Sequence, residues 1–265
     1  MTATTLLTLA KMKRDGDKIT CLTAYDYSFA SLLDKAGIDA VMIGDSLGMV
    51  IQGHESTLPV TLDDVVYHSL CVTRGARRAL RIGDLPFMSY QANREVALAS
   101  AGRLMQEGGV QVVKLEGGEV MADTVRFLVD RGVPVCGHLG LIPQSVHQLG
   151  GYRVQGKDEA SARQIRNDAI ALQQAGARLL VLEAVPAALA RTVTEELEIP
   201  SIGIGAGPDC DGQVLVLQDM IGVYPKPSPR FARNFMQGTD SIEGAIKAYI
   251  QAVKSGEFPA AEHSF

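Results

Sequence analysis

Three acids each close a short apolar run: Asp45 after Val41-Met42-Ile43-Gly44, Asp84 after Leu80-Arg81-Ile82-Gly83, and Glu116 after Gln111-Val112-Val113-Lys114-Leu115. Carboxylates brought into one small volume repel unless a proton or a divalent cation neutralises them. Oxygen-only donors suit Mg²⁺ or Mn²⁺ rather than zinc, and Mg²⁺ commonly takes one or two carboxylates and leaves positions for water and substrate. The three acids are therefore candidate ligands of an open, catalytic metal site. Ser46 stands beside Asp45, and period-two alternation puts Lys114 on the same strand face as Glu116, a cation placed to hold a substrate carboxylate. Taken singly, each acid serves equally well as the N-cap of a following helix. Their joint occurrence favours the metal.

The elements that must carry these residues are visible in the hydrophobic pattern. Eight strand-like runs fall at residues 20–24, 40–44, 80–84, 110–115, 133–137, 178–183, 200–203 and 213–217. Most are continuously apolar, as strands covered on both faces require. Segments with helical spacing lie between them at 28–36, 61–75, 94–107, 121–130, 160–175 and 187–197, with Gly37, Gly75, Gly108, Gly132 and Gly176 set as C-caps. Strand then helix, repeated about eight times in ~250 residues, is the size and rhythm of a (β/α)₈ barrel, whose reactive groups sit at the C-terminal ends of its strands. Asp26, Asp45, Ser46, Asp84, Glu116, His138 and Glu183 all fall at such ends. An open doubly wound sheet is the alternative, but the first β/α turn, Ala24-Tyr25-Asp26-Tyr27-Ser28, lacks its glycine-rich phosphate fingerprint.

The chain of 265 residues, 46% hydrophobic, reads as one barrel domain over 1–265, with an N-terminal helix and lead-in at 1–18 and a C-terminal extension at 224–265. It has no apolar stretch long enough for a membrane span, and its first residues do not read as a signal peptide, so a cytoplasmic protein with no membrane partner is expected. A net charge of −5 argues against nucleic-acid binding. The basic cluster Arg74, Arg77, Arg78 and Arg81 reads as a solvated helix end. Cys21, Cys71, Cys136 and Cys210 form no Cys-x-x-Cys pair and read as reduced, mostly buried thiols.

Residues 47–59 form a connection longer than the ~2–6 residues usual in such units, either a lid or an ordered packing loop. The glycine-rich stretch 203–207 reads as close backbone packing that shapes an entrance. Tyr224-Pro225-Lys226-Pro227-Ser228-Pro229 breaks regular structure and leads to a last helix, with Asp240 as N-cap, Glu243 completing a capping box, and Ile242, Ile246, Tyr249, Ile250 and Val253 on one stripe ending at Gly256. That stripe is read as core packing, with a subunit contact as its alternative.

The motifs together resemble the ketopantoate hydroxymethyltransferase family. The resemblance rests on Thr23-Ala24-Tyr25-Asp26, Gly44-Asp45-Ser46-Leu47-Gly48-Met49, Gln52-Gly53-His54-Glu55-Ser56-Thr57-Leu58-Pro59, Asp84-Leu85-Pro86-Phe87-Met88, Lys114-Leu115-Glu116-Gly117-Gly118 and Gly137-His138-Leu139-Gly140-Leu141. It continues through Gly150-Gly151-Tyr152, Leu182-Glu183, residues 203–207 and the final Glu262-His263-Ser264-Phe265. It implies a TIM barrel of the phosphoenolpyruvate/pyruvate superfamily, Mg²⁺-dependent and decameric. The family moves the one-carbon unit of 5,10-methylenetetrahydrofolate to 3-methyl-2-oxobutanoate, giving 2-dehydropantoate for pantothenate synthesis. Matched motif to motif, Asp45, Asp84 and Glu116 become the metal site, Glu116 through water. Asp45, Ser46, Asp84 and Lys114 surround the keto acid, and Glu183 is the base. Residues 224–229 depart from the glycine-rich versions of the family, and the folate contacts are left unassigned.

The chemistry of the residues agrees. Forming a carbon–carbon bond beside a ketone requires loss of a weakly acidic C3 proton, which a metal-stabilised enolate and a partly buried Glu183 make feasible. His138 either donates to the enolate oxygen, carries a proton later, or simply holds a neighbouring side chain. One alternative is a Mg²⁺-dependent carbon–carbon lyase of the same superfamily, which would carry a Lys-Lys-Cys-Gly-His loop that is missing here. The other is a non-catalytic keto-acid binder, which would have no use for Glu183.

Overall fold

The computed structural model describes residues 2–265. All eight expected runs form strands: β1 (Ile19–Thr23), β2 (Ala40–Ile43), β3 (Leu80–Asp84), β4 (Val112–Glu116), β5 (Val135–Gly140), β6 (Leu179–Glu183), β7 (Ser201–Ile204) and β8 (Gly212–Leu215). They pair in parallel in chain order, and β8 pairs back to β1 to close the barrel. The helices are α1 (Leu6–Asp15), α2 (Tyr27–Ala36), α3 (Leu47–Val50), α4 (Leu62–Gly75), α5 (Arg94–Gln106), α6 (Ala122–Val129), α7 (Val146–Leu149), α8 (Glu159–Gln174), α9 (Ala187–Glu196), α10 (Leu217–Met220) and α11 (Ile242–Ser255). No helix among the described residues is long and apolar enough to cross a membrane.

Strand periodicity separates two cores. Residues facing outward, such as Leu22, Val41, Val113 and Leu180, pack under the helices. Those facing inward, including Ile19, Cys21, Met42, Ile82, Val112 and Val181, fill the barrel, and buried Leu9 from α1 joins them. The same inward face, carried towards the C-terminal ends, reaches Asp84, opposite Lys114 in register, and Glu116, opposite His138. Apolar layers thus give way to a polar one at a single end of the barrel.

The helix ends correct several sequence expectations. Gly37 caps α2 in the left-handed region, as expected. Gly75 instead belongs to α4, whose cap is Ala76. A Cβ on Gly75 would come within 2.5 Å of the Tyr27 carbonyl oxygen and 2.9 Å of Ala30 Cβ, so its missing side chain lets α4 approach α2. Gly75→Ala should therefore destabilise the fold by about 1–3 kcal/mol, the usual cost of overpacking. Urea unfolding measures this, and an unchanged midpoint would show that the helices part freely. The arginine cluster is not simply a solvated helix end: Arg78 binds the Thr4 hydroxyl and the Ile38 carbonyl, and Arg81 donates to the Ala76 and Gly109 carbonyls.

The last helix begins one residue later than expected. Ser241, not Asp240, is the N-cap and accepts from the Gly244 N–H, while Glu243 pairs with Lys35 and Lys247 instead of closing a capping box. Of its stripe, Ile246, Tyr249 and Val253 are buried, and the Tyr249 hydroxyl donates to the carbonyls of Cys21 (2.9 Å) and Gln213 (3.0 Å). The helix is core packing over the β8–β1 seam, where the four-residue α10 is too short to cover the sheet.

Candidate active site

A cavity of about 530 Å³ opens at the C-terminal mouth of the barrel. Asp45, Ser46, Asp84, Lys114, Glu116, His138 and Glu183, all expected from the sequence, line it. Asp26 does not; its carboxylate caps α2 by accepting from the Phe29 N–H at 2.9 Å.

Backbone geometry at each strand end sets these side chains. Gly44 leaves room for the site, since a Cβ there would lie 2.7 Å from Ser46 Oγ and 3.4 Å from Asp84 Oδ2. At the end of β5, Gly140 has φ of 92°, and a Cβ would sit 2.2 Å from the Glu183 carbonyl oxygen, which accepts from the Leu141 N–H. Beyond Glu183 the chain turns through Ala184, held at φ of 46° by a bond from its N–H to the Ile204 carbonyl. A left-handed alanine costs on the order of 1 kcal/mol and persists because both neighbouring strands fix it.

The polar cluster is almost fully buried. Lys114 Nζ lies 2.9 Å from Asp84 Oδ2, which also accepts from the Asp45 N–H at 3.2 Å. Burial opposes the charge on Lys114, but Asp84, Glu116 and Asp45 outweigh it, and the ammonium is held more tightly protonated than usual. Asp45 is pushed up to about 8 by burial first and then by the charges of Asp84 and Glu116. Asp84 is also raised, through burial, despite Lys114. His138 sits between two acids, with Nδ1 3.5 Å from Glu116 Oε1 and Nε2 3.2 Å from Glu183 Oε2. Burial and Lys114 disfavour its proton, yet Glu116 and Glu183 prevail and raise its pKa to about 9.

Sequence reasoning missed Gln144, which organises this cluster from the turn after β5. Its side-chain N–H groups donate to Asp45 Oδ2 (2.8 Å) and the Leu85 carbonyl (2.9 Å), its backbone N–H donates to Glu116 Oε2 (3.0 Å), and its Oε1 accepts from Tyr90 Oη (2.8 Å). Tyr25 was missed in the same way; its hydroxyl lies 2.8 Å from Ser46 Oγ. Gln144 lies outside every motif named above, and Tyr25, though inside Thr23-Ala24-Tyr25-Asp26, was given no role there.

The three acids share the cavity, but among the described residues no group of three His, Cys, Asp or Glu side chains is set to hold a metal ion together. Each acid is turned to a different donor: Asp84 to Lys114, Asp45 to Gln144, and Glu116 to the Gln144 backbone. Two buried oxygens, Asp84 Oδ1 and Glu116 Oε1, nevertheless have no hydrogen-bond partner. Hard oxygen donors left without a hydrogen-bond partner fit a divalent cation that takes one or two carboxylates directly and keeps water in its shell. The four cysteines are free, and buried Cys136 is pushed up to about 12 by desolvation, so it is no nucleophile.

The connection after β2 is ordered by its own contacts. Its first turn forms α3, the His54 N–H donates to the Gly48 carbonyl, and Thr57 is buried. A Cβ on Gly48 would lie 2.5 Å from Val60 Cγ2. Residues 203–207 are likewise packed against side chains, with Phe231 and Phe265 each about 3 Å from where a Gly205 Cβ would stand.

Comparison with known proteins adds sequence evidence to this geometry. Residues 3–261 match the family described as ketopantoate hydroxymethyltransferase. The chain is 59% identical over 262 residues to a 3-methyl-2-oxobutanoate hydroxymethyltransferase from Aromatoleum aromaticum, covering 98% of this chain and 96% of that one. It is 60% identical over 260 residues to the protein of that name from Methylobacillus flagellatus, covering 98% and 99%. Among solved structures, phosphonopyruvate hydrolase in complex with oxalate and Mg²⁺ superposes with a TM-score of 0.63 at 12% identity, over 96% of this chain and 97% of that one. A 2,3-dimethylmalate lyase of the PEP mutase/isocitrate lyase superfamily does so with a TM-score of 0.54 at 17% identity, over 76% and 72%. At such identities these structures speak for the barrel alone.

Proposed function

The chain belongs to the ketopantoate hydroxymethyltransferase family, and on that premise we propose that the polar half of this cavity moves the one-carbon unit of 5,10-methylenetetrahydrofolate to 3-methyl-2-oxobutanoate with uptake of one water, giving 2-dehydropantoate and tetrahydrofolate. The observation that carries the assignment of residues is the shared inward face of β3 to β6, which brings Asp84, Lys114, Glu116, His138 and Glu183 into one buried cluster. Mg²⁺ or Mn²⁺ would be held by Asp45 and Asp84, with Glu116 reaching it through water, and when bound it supplies Lewis-acid stabilisation of negative charge on the keto oxygen.

The remaining work falls to the chain itself. Lys114 Nζ, a firmly protonated donor, pairs with the carboxylate of the keto acid, and the Ser46 hydroxyl, positioned by Tyr25, donates to the same group. Glu183 Oε2 accepts the C3 proton. His138 Nε2 faces the same carboxylate, 3.2 Å from that oxygen. Gln144 locks Asp45 and Glu116 in place. Met42 and Val181 form apolar walls that receive the branched alkyl end of the substrate.

Proton NMR of 3-methyl-2-oxobutanoate in D₂O tests this reading. Exchange of the C3 proton should require Mg²⁺, stop on addition of EDTA, and give way to a hydroxymethyl resonance when 5,10-methylenetetrahydrofolate is added. Absence of both exchange and product would reject it. Lys114→Ala should raise the KM for the keto acid by roughly ten- to a hundredfold, the worth of a charged hydrogen bond. A fall in kcat with KM unchanged would deny Lys114 its anchoring role. Family membership also leads us to propose a homodecameric, cytoplasmic enzyme, and light scattering of the purified protein measures the subunit number.

A further inference from the structure

The mechanism leaves one side of the cavity unused. β8 lies diametrically across the closed ring from β4, the strand of Lys114 and Glu116. On that far side Ile204, Val214, Val216 and Phe231 are apolar, and the polar lining is Thr23, Asp219, Tyr224 and the ion pair of Lys226 with Glu55. Asp219 is 8% exposed, and its Oδ1 is buried without any hydrogen-bond partner. Its backbone serves α10, where the N–H donates to the Val216 carbonyl, while Oδ1 of the carboxylate is left without a donor among the described residues. The Tyr224 hydroxyl, on the same wall, is also unpartnered.

A buried carboxylate without a donor costs free energy unless a ligand supplies one. The ligand must be flat enough for an apolar slot and must present N–H groups to an acid. A 2-amino-4-oxopteridine does both, since its ring N–H and exocyclic amine point the same way and match the two oxygens of one carboxylate, as a guanidinium does. We propose that Asp219 is the pterin-recognition residue of this enzyme, its carboxylate accepting from the 2-amino group and adjacent ring N–H of the folate cosubstrate. The assignment rests on the transferase reading above and extends it to the second substrate. Burial lifts Asp219 to about 6, which leaves it ionised at neutral pH and able to accept both bonds. With the pterin across the mouth from Lys114, the two substrates occupy opposite walls and meet over the middle of the barrel.

The test is tetrahydrofolate binding by the intact protein, measured calorimetrically, for the parent and for Asp219→Asn, a variant of equal shape. The Kd should rise roughly ten- to a hundredfold, the discrimination expected when a charged hydrogen-bond acceptor is lost. The melting temperature should not fall, and the Kd for 3-methyl-2-oxobutanoate should stay within twofold of the parent. A tetrahydrofolate analogue with methyl in place of the 2-amino group should bind the parent as weakly as tetrahydrofolate binds the variant, and the variant should not distinguish the two ligands. An unchanged tetrahydrofolate Kd, equal weakening of both substrates, or additive losses in variant and analogue would each overturn the assignment. Failure of the parent to form product from the two substrates would bring down the transferase reading itself, and the assignment with it.

Discussion

Asp84→Asn is expected to lower kcat/KM by on the order of a thousandfold or more at saturating Mg²⁺, because two functions meet on one side chain. Its Oδ2 pairs with Lys114 and its Oδ1 is the buried, unpartnered oxygen best placed to take a cation. Lewis-acid stabilisation of a developing oxyanion is worth several kcal/mol, and each ~1.4 kcal/mol is tenfold in rate. The asparagine keeps volume and shape. Alanine would also strand Lys114, and an unpaired buried charge costs about 3–5 kcal/mol of stability. Comparing the two variants separates chemistry from folding: both should lose turnover, and Asp84→Ala should melt at a lower temperature. Activity of Asp84→Asn within tenfold of the parent would remove Asp84 from the metal site.

The residues that were legible in the sequence share a physical cause. A strand buried on both faces tolerates only apolar residues, so Asp84, Lys114, Glu116 and Glu183 stand out as exceptions at its C-terminal end, and period two then orders them onto one face. The barrel was legible for the same reason, because eight mostly apolar runs alternate with helical segments at the length of a (β/α)₈ unit. Gln144 and Tyr90 were not, since each lies in an irregular β/α connection where neither spacing nor residue type singles it out. Asp219 was hidden because a four-residue helix is too short to show a period. At the last helix, Asp240 and Ser241 are both good caps, and a one-residue shift decides whether Glu243 closes a capping box. The hydrogen-bonding of the three acids was also beyond the sequence. It depends on which donor each acid turns towards, and Gln144 claims two of them.

Glu183→Gln should separate proton abstraction from every other part of the site. The amide keeps the shape of the carboxylate and can still meet His138 Nε2, 3.2 Å from Glu183 Oε2 in the parent, but it cannot accept the C3 proton. A positioned general base contributes roughly a hundredfold to ten-thousandfold, so kcat should fall by that factor while the KM for the keto acid, set by Lys114 and Ser46, changes little. The decisive measurement omits folate: C3 exchange of 3-methyl-2-oxobutanoate in D₂O with Mg²⁺ should nearly vanish in the variant. Exchange at the parental rate would show that the base lies elsewhere. His138 would then be the next group to replace, since it touches both Glu116 and Glu183. Its proton, stabilised by those two acids, explains why it is the weaker candidate. With a pKa raised to about 9 it is largely protonated at neutral pH, and a base must be free to accept. Removing the Glu183 charge should lower that pKa, so an exchange activity that survives in Glu183→Gln and rises with a shifted pH profile would identify the imidazole as the substitute base.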